Sequence, residues 1–252
     1  MNAELSWPQI KDWRKQQRAD AIARRQAVPL AQRRLWGAAI SELLEAGFPM
    51  LAGMTVAFCW PFKGEFDARF AIRRWRERGA TAALPVVVGK AMPLQFRQWW
   101  PGAPLVPGAY GIPEPAGTEL VVPDAAIVPV NGFDGQGYRL GYGGGYFDRT
   151  LAVAAPRPLA IGVGFELARL PTIYPQAHDL AMDFVVTEAG IRAITDSRLV
   201  IIDTAECRAR AQRLCGERRL PRRPAEVAGR YCSPPCFAGD FPGFFGETEE
   251  SS

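Results

Sequence analysis

The chain has one histidine, no uninterrupted apolar run of about 18 residues, and neither of the two standard nucleotide-binding glycine signatures. Without a long apolar run there is no candidate membrane-spanning helix. The opening Met1-Asn-Ala-Glu-Leu-Ser-Trp-Pro8 lacks the charged start and apolar middle of a signal peptide, which predicts a cytoplasmic protein. Cysteine is also sparse: five residues, an odd number, with Cys59 inside an apolar run, do not make a disulfide framework. No Lys-Ser or Lys-Thr closes a P-loop, Gly141-Tyr-Gly-Gly-Gly145 does not match GxGxxG, and no DNA- or RNA-binding motif occurs.

What is present is enough for a buried core, since 48% of the 252 residues are hydrophobic. The formal charge of +4 is modest, but arginine gathers at Arg14 to Arg34 and again at Arg208 to Arg230. Such ends suit a nucleic acid, an anionic small molecule carrying several charges, or simply solvated helix faces.

The densest signal is Asn131-Gly-Phe-Asp-Gly-Gln-Gly-Tyr-Arg-Leu-Gly-Tyr-Gly-Gly-Gly-Tyr-Phe-Asp148, with seven glycines between Gly132 and Gly145. It follows the apolar Ala126 to Val130 and precedes a helical pattern from Tyr146 to Ala155, so it reads as a loop leaving a strand and entering a helix. Helix N-termini offer free N–H groups and the positive dipole end, and glycine lets an anion approach the backbone. Phosphate binding is the functional reading and a structural glycine-rich turn the alternative. Arg139 adds a fixed charge, and Asp148 is placed to hold the magnesium that accompanies a nucleotide phosphate.

Elsewhere, Trp7 to Arg25 reads as a helix with Ile10, Trp13, Gln17 or Ala21, and Ile22 on its apolar stripe. Lys11, Arg14 and Arg18 then share a ridge, as a phosphate clamp would. Pro29 to Ala46 is a second helix. Thr55-Val-Ala-Phe-Cys-Trp60 is apolar on both parities, as a strand buried on both faces requires. With the arginine-rich helix ending at Arg78 and the run Ala80 to Val88 it forms a βαβ unit. Met92 to Trp99 alternates like a half-exposed strand, Gly108 to Pro115 is a proline-stiffened loop, and Pro158 to Phe165 is another buried strand.

Gly137-Tyr-Arg-Leu-Gly-Tyr-Gly-Gly-Gly-Tyr-Phe-Asp148 closely resembles the signature of the 5-formyltetrahydrofolate cyclo-ligase family, also called methenyltetrahydrofolate synthetases. His178-Asp-Leu-Ala-Met-Asp-Phe-Val-Val-Thr-Glu188 is similar to the end of that family's catalytic domain. The resemblance implies ATP- and magnesium-dependent conversion of 5-formyltetrahydrofolate to 5,10-methenyltetrahydrofolate. It places ATP on Lys11, Arg14, Arg139, Leu140, Gly141, Tyr142, the glycine triplet, Tyr146 and Phe147. Arg139 with Gly143, Gly144 and Gly145 becomes the catalytic, charge-neutralising group. The reduced folate, polyglutamylated or not, goes to Trp60, Glu65, Tyr110, Tyr142 and Tyr146, and the magnesium to Asp148 and Asp183. From the residues alone, Glu65 is equally a first-turn helix carboxylate, Trp60 a core aromatic and Tyr110 a packing tyrosine of a surface turn. His178 is read as structural rather than as a general base. Many relatives carry Lys where this chain has Gly144, which leaves charge neutralisation to the arginines, Lys11 and backbone amides.

The expected fold is α/β, a mixed and largely parallel sheet flanked by helices in one catalytic domain, residues 1–204, followed by an irregular extension, 205–252. Cys232 and Cys236 are too few for a closed zinc site, and four phenylalanines with Tyr231 suggest docking on the domain or on an unidentified partner. A divergent paralogue with the same ATP site and another substrate, and a nucleic-acid-binding protein using the basic ends, are the competing readings.

Overall fold

A computed structural model describes residues 5–220. The tail motifs from Pro221 onward, Cys232 and Cys236 among them, lie outside the described residues.

Eight strands form one sheet in the order β12-β11-β10-β9-β6-β1-β2-β3. These are β1 (Thr55–Phe58), β2 (Thr81–Val86), β3 (Gln95–Trp99), β6 (Ala125–Pro129), β9 (Leu159–Val163), β10 (Phe184–Thr187), β11 (Gly190–Thr195) and β12 (Arg198–Ile202). The five from β10 to β2 run parallel, and the hairpin partners at both edges are antiparallel. Two small ribbons complete the strands: β4 (Leu105–Pro107) with β5 (Pro113–Pro115), and β7 (Gly132–Phe133) with β8 (Arg139–Leu140). The helices are α1 (Trp7–Ala27), α2 (Leu30–Gly47), α3 (Arg69–Glu77), α4 (Tyr146–Val153) and α5 (Thr204–Glu217). The mixed, largely parallel α/β architecture is the one the sequence implies.

Alternation along the central strands divides the core. Val56, Phe58, Leu84, Ile127, Ile161 and Phe184 point into the larger core, which includes side chains of α2, α3 and α5. On the other parity Ala57, Ala83, Ala126 and Ala160 are small, so Leu151, Tyr146 and Phe147 of α4 pack close to the sheet. All four β1 residues are buried, as its unbroken apolar pattern predicts.

The helix ends follow local rules. Ser6 opens α1, its N–H donating to Gln9 Oε1 at 2.8 Å, and Pro8 sits in the first turn. Asp203 caps α5 by accepting from the Glu206 N–H at 2.8 Å.

The expected boundary at 204/205 does not hold. Cys207, Ala211, Cys215 and Leu220 are buried in the main core, so α5 belongs to the domain and the first part of the presumed irregular extension is a regular helix. Among the described residues no helix is long and apolar enough to cross a membrane.

Candidate active site

In parallel α/β sheets ligands collect beyond the carboxyl ends of the strands. Here the Cys59–Phe66 loop after β1 and the Val130–Gly145 segment after β6 leave the sheet at that edge and meet. The Tyr142 hydroxyl donates to Glu65 Oε1 at 2.9 Å, and the Phe62 N–H donates to Glu65 Oε2 at 3.1 Å.

The glycine loop takes its shape from β7 and β8, which pair antiparallel, and from the entry to α4. Gly143 has φ +94° and Gly145, the residue before α4, φ +63°, conformations that L side chains resist. A Cβ on Gly143 would also lie 3.3 Å from the Arg18 guanidinium carbon. Arg18 donates through Nε to the Gly141 carbonyl at 2.9 Å, and burial, followed by the nearby Arg14 charge, lowers its pKa. Below the loop, Arg139 is buried and its Nη2 lies 3.3 Å from Asp148 Oδ2. Asp148 also accepts from the Leu180 N–H at 3.2 Å. Arg149, one residue on, donates to the Gly144 carbonyl and lies over the Tyr146 ring at 5.2 Å. Arg139 Nε and Arg149 Nε are buried without a hydrogen-bond partner.

Facing the loop, Trp60 is half-buried, with the Arg69 guanidinium 4.6 Å above its ring and Trp99 edge-on at 6.2 Å. Tyr110, at the tip of the β4–β5 ribbon, is 74% exposed with φ +61°, and its phenol lies close enough to that of Tyr146 to raise the Tyr146 pKa, behind the effect of desolvation. Glu65 and Tyr142 thus form one bonded pair, Tyr110 and Tyr146 stand together as a second, and Trp60 lies on the same post-β1 segment as Glu65. Burial raises the Glu65 carboxyl above its ordinary pKa, against the lowering effects of Arg25 and of the bonds from Tyr142 and the Phe62 N–H. Burial and the neighbouring Glu65 likewise raise the Tyr142 phenol.

Several expected residues are placed otherwise. Asp183 does not join Asp148. It precedes β10 at the opposite, amino edge of the sheet, where it accepts from the Ala160 N–H at 2.8 Å and from Arg218 Nη1 and Nη2 at 2.8 and 2.6 Å. Its carboxylate is thus saturated by protein donors, and no group of three or more metal-ligating side chains occurs among the described residues. Arg14 is buried, donating to the carbonyls of Ile173 and Tyr174 at 2.9 Å each and to Asp179, so it secures the segment before β10 rather than presenting charge to a phosphate. Leu140 packs with Leu170 and Ile173 under the loop, a core position. Phe147 packs on the α4 core, with the Arg139 guanidinium 5.6 Å from its ring. Lys11 is exposed near the start of α1, on the face that continues to Arg14 and Arg18. His178 has a 68% exposed side chain beside Trp7 and Asp179.

The sequence reading missed Arg25, Asn131 and Arg149. Arg25 is 4% exposed and donates to the Lys63 carbonyl at 3.0 Å, Asn131 Oδ1 at 2.8 Å and the Tyr142 hydroxyl at 3.2 Å. Its signal was present: Lys11, Arg18 and Arg25 recur every seven residues on one helix face. Arg14 and Arg25 of the amino-terminal arginine cluster are buried, while Lys11, Lys15, Arg24 and Arg34 are exposed.

The model of the 5-formyltetrahydrofolate cyclo-ligase family matches residues 10–188, from α1 to the end of β10. A 5-formyltetrahydrofolate cyclo-ligase of Mycolicibacterium smegmatis is 34% identical over 154 residues, 57% of this chain and 79% of its own length. One from Escherichia coli K12 is 34% identical over 134 residues, covering 51% and 74%. Among solved structures, the Aquifex aeolicus 5,10-methenyltetrahydrofolate synthetase superposes with a TM-score of 0.62 at 28% identity, over 75% of this chain and 96% of that one. A 5,10-methenyltetrahydrofolate synthetase from Mycoplasma pneumoniae, at 19% identity, shares the fold with a TM-score of 0.57 over 69% and 98%. The glycine loop, the Glu65 loop and the five parallel strands that bring them together all fall within the matched span, and the chain belongs to the 5-formyltetrahydrofolate cyclo-ligase family and is an enzyme of that family.

Proposed function

We propose that the chain closes the 5,10-methenyl ring at the expense of ATP, with magnesium, through a phosphorylated formyl group held between the glycine loop and Glu65. The observation that carries this reading is the 2.9 Å Tyr142–Glu65 hydrogen bond, which puts an anion-suited loop and a buried carboxylate on one opening.

The residues fit a triphosphate. Arg139 and Arg149 hold buried unpartnered Nε–H groups, Arg18 lies against Gly143, and the loop leads into the N-terminus of α4. Arg149 also answers the missing lysine at Gly144, because its guanidinium reaches the carbonyl of that residue. Magnesium fits through Asp148 alone, since that ion accepts one carboxylate together with phosphate oxygens and waters. Asp183 and Arg14 are left out, because protein partners already occupy them.

ATP supplies the phosphoryl group that converts the formyl oxygen into a leaving group, and magnesium offsets the charge. Hydroxide leaves an amide carbon badly. Once that oxygen carries phosphate, N10 attacks the carbon, the C–O bond breaks, phosphate departs and N10 loses its proton to solvent. The work of the chain is positioning and charge neutralisation. Arg139, Arg149, Arg18 and the amides of Gly143, Gly144 and Gly145 neutralise the oxygens. Glu65 accepts the adjacent N–H donors of the pterin amide and amino group, Trp60 walls the ring, and Tyr110 with Tyr146 covers the opening.

The test incubates the full chain with 5-formyltetrahydrofolate, ATP and magnesium, following the near-ultraviolet absorbance of the methenyl product and the release of ADP and phosphate. One ADP and one phosphate per methenyl product, abolished by a chelator, is expected. No product with any folate glutamate-chain length rejects the reading.

A further inference from the structure

We propose that Arg25 is a positioning residue that joins the two halves of this site, holding the folate carboxylate Glu65 and the loop tyrosine Tyr142 in one hydrogen-bonded cluster. The inference rests on the proposed roles of Glu65 and of the glycine loop.

Four elements converge on this side chain. It leaves the last turn of α1, takes the Lys63 carbonyl with Nε at 3.0 Å, Asn131 Oδ1 with Nη1 at 2.8 Å and the Tyr142 hydroxyl with Nη2 at 3.2 Å. Nη2 also lies 4.0 Å from Glu65 Oε1, with both side chains 5% exposed. Lys63 belongs to the loop after β1, Asn131 to the short link between β6 and β7, and Tyr142 to the glycine loop after β8. A planar guanidinium has donors in fixed directions, so three acceptors on three segments are set at fixed positions relative to one another. Lysine cannot reproduce this, having one compact charge at the end of a flexible stem. The Tyr142 hydroxyl accepts from Arg25 and donates to Glu65, so movement of the glycine loop is felt by the carboxylate through one shared oxygen.

Charge compensation follows from the same geometry. The groups facing Glu65 are Arg25 from α1, Tyr142 and the Phe62 N–H, with Cys59 at the end of β1 and Arg139 beyond it. Arg33 of α2 lies against Gly64, and Lys63 turns to the Phe62 ring. Of these, Arg25 is the cation that most opposes the burial-driven rise of the Glu65 pKa. Without it the carboxyl stays protonated to higher pH and loses its ability to accept both pterin donors. A buried, hydrogen-bonded charge that loses its partner typically weakens binding by at least about thirtyfold.

The experiment is equilibrium binding of 5-formyltetrahydrofolate, and separately of ADP with magnesium, by calorimetry on the full chain from about pH 5 to about pH 9. The proteins are the parent, Arg25→Met, Arg25→Lys, Glu65→Gln and Arg25→Met combined with Glu65→Gln. Arg25→Met is expected to weaken folate binding by about thirtyfold near neutrality and to move its acid limb to higher pH. ADP binding should weaken by only a few-fold. Glu65→Gln should bind weakly with no such limb, and adding Arg25→Met to it should produce no pH displacement. Arg25→Lys keeps the charge, so the limb should stay in place while affinity falls. Equal folate losses at every pH, with and without Glu65, would mean that Arg25 only fills space and would overturn the inference. Should Arg25→Met fail to fold, parent-like folate affinity in Arg25→Lys overturns it instead. A parent protein that binds no folate removes the proposed function and this inference with it, an outcome separable from a parent and Arg25→Met that bind equally well.

Discussion

Two arginine–carboxylate pairs sit at opposite edges of the same sheet, and their geometry differs. At the amino edge Arg218 grips Asp183 with two bonds of 2.8 and 2.6 Å, while the Ala160 N–H takes a further lone pair and Arg218 also donates to the Pro158 carbonyl at 3.1 Å. Bonding to Asp183 is the leading reason the Arg218 pKa is raised. At the carboxyl edge Arg139 meets Asp148 once, at 3.3 Å, and keeps an unpartnered buried Nε. A saturated pair has no capacity left for a ligand, and it ties α5 to the starts of β9 and β10. An unsaturated pair beside a glycine loop retains donors and lone pairs for a guest. Burial alone does not separate them, since the Asp183 and Asp148 side chains are 9% and 13% exposed. Valence does.

The largest effects should divide along this line. Asp148→Asn removes the carboxylate assigned to magnesium and should lower turnover by about 10²-fold or more while changing stability by less than about 1 kcal/mol. Asp183→Asn breaks a buried pair and strands Arg218, so it should destabilise by about 3 kcal/mol yet leave turnover near parental below the melting transition. Because the two act on different properties, the double variant should show both losses, each undiminished. Initial rates against magnesium concentration, with thermal unfolding of all three variants, check this. A shared magnesium site predicts the opposite, with Asp183→Asn losing turnover and the double variant no slower than the worse single.

The same contrast explains what was legible beforehand. The sheet was readable because apolar residues on both parities of Thr55 to Phe58 and of Leu159 to Val163 can only be buried on both faces. The meeting of the Glu65 loop with the glycine loop was readable because parallel strands send their carboxyl-end loops to one edge. Asp183 was read together with Asp148 because a charge letter does not reveal which partner claims it, and Arg218 lies 35 residues away, just after α5 and beyond the matched family span. Arg14 was read as a phosphate ligand on a cationic ridge, and Arg25 was passed over as one more helix cation. Their burial becomes understandable only once the carbonyls of Ile173, Tyr174 and Lys63 are in place to receive them. Arg149 was hidden because attention to the missing lysine at Gly144 ended one helical turn too soon.

A smaller effect tests the carboxyl edge by itself. Arg149→Ala should raise the KM for ATP by about tenfold, worth about 1.4 kcal/mol, with little change in the KM for folate. Gly144→Lys in that background should restore a few-fold of the loss. The nearest atoms to its Cβ belong to the Tyr146 ring, 2.7 Å away, and a side chain can move where backbone cannot. Steady-state kinetics on the two variants decide it. No change in either KM would show that Arg149 serves the loop backbone alone, making the carboxyl edge as saturated as the amino edge.

The smallest effect concerns stability, and its sign opposes that of Asp183. Burial is the leading cause that raises the Glu65 pKa in the folded chain, so folding favours its protonated form. The stabilising share of Glu65 is then fully present below the ordinary carboxyl pKa of about 4.5 and is lost as pH rises through the higher folded value. At neutral pH the charge is kept at a cost to the fold. Glu65→Gln keeps the shape and removes that charge, while Arg25 retains the Lys63 carbonyl and Asn131 as acceptors. The variant should therefore be more stable than the parent by about 1 kcal/mol near neutrality, with the difference shrinking towards pH 4. Folate affinity should fall in the same protein, as expected where a binding site carries an unfavourable buried charge for function. Urea unfolding of both proteins at several pH values measures it. A Glu65→Gln variant that is less stable at neutral pH would place Glu65 with Asp183, as a carboxylate whose net contribution is to hold the fold.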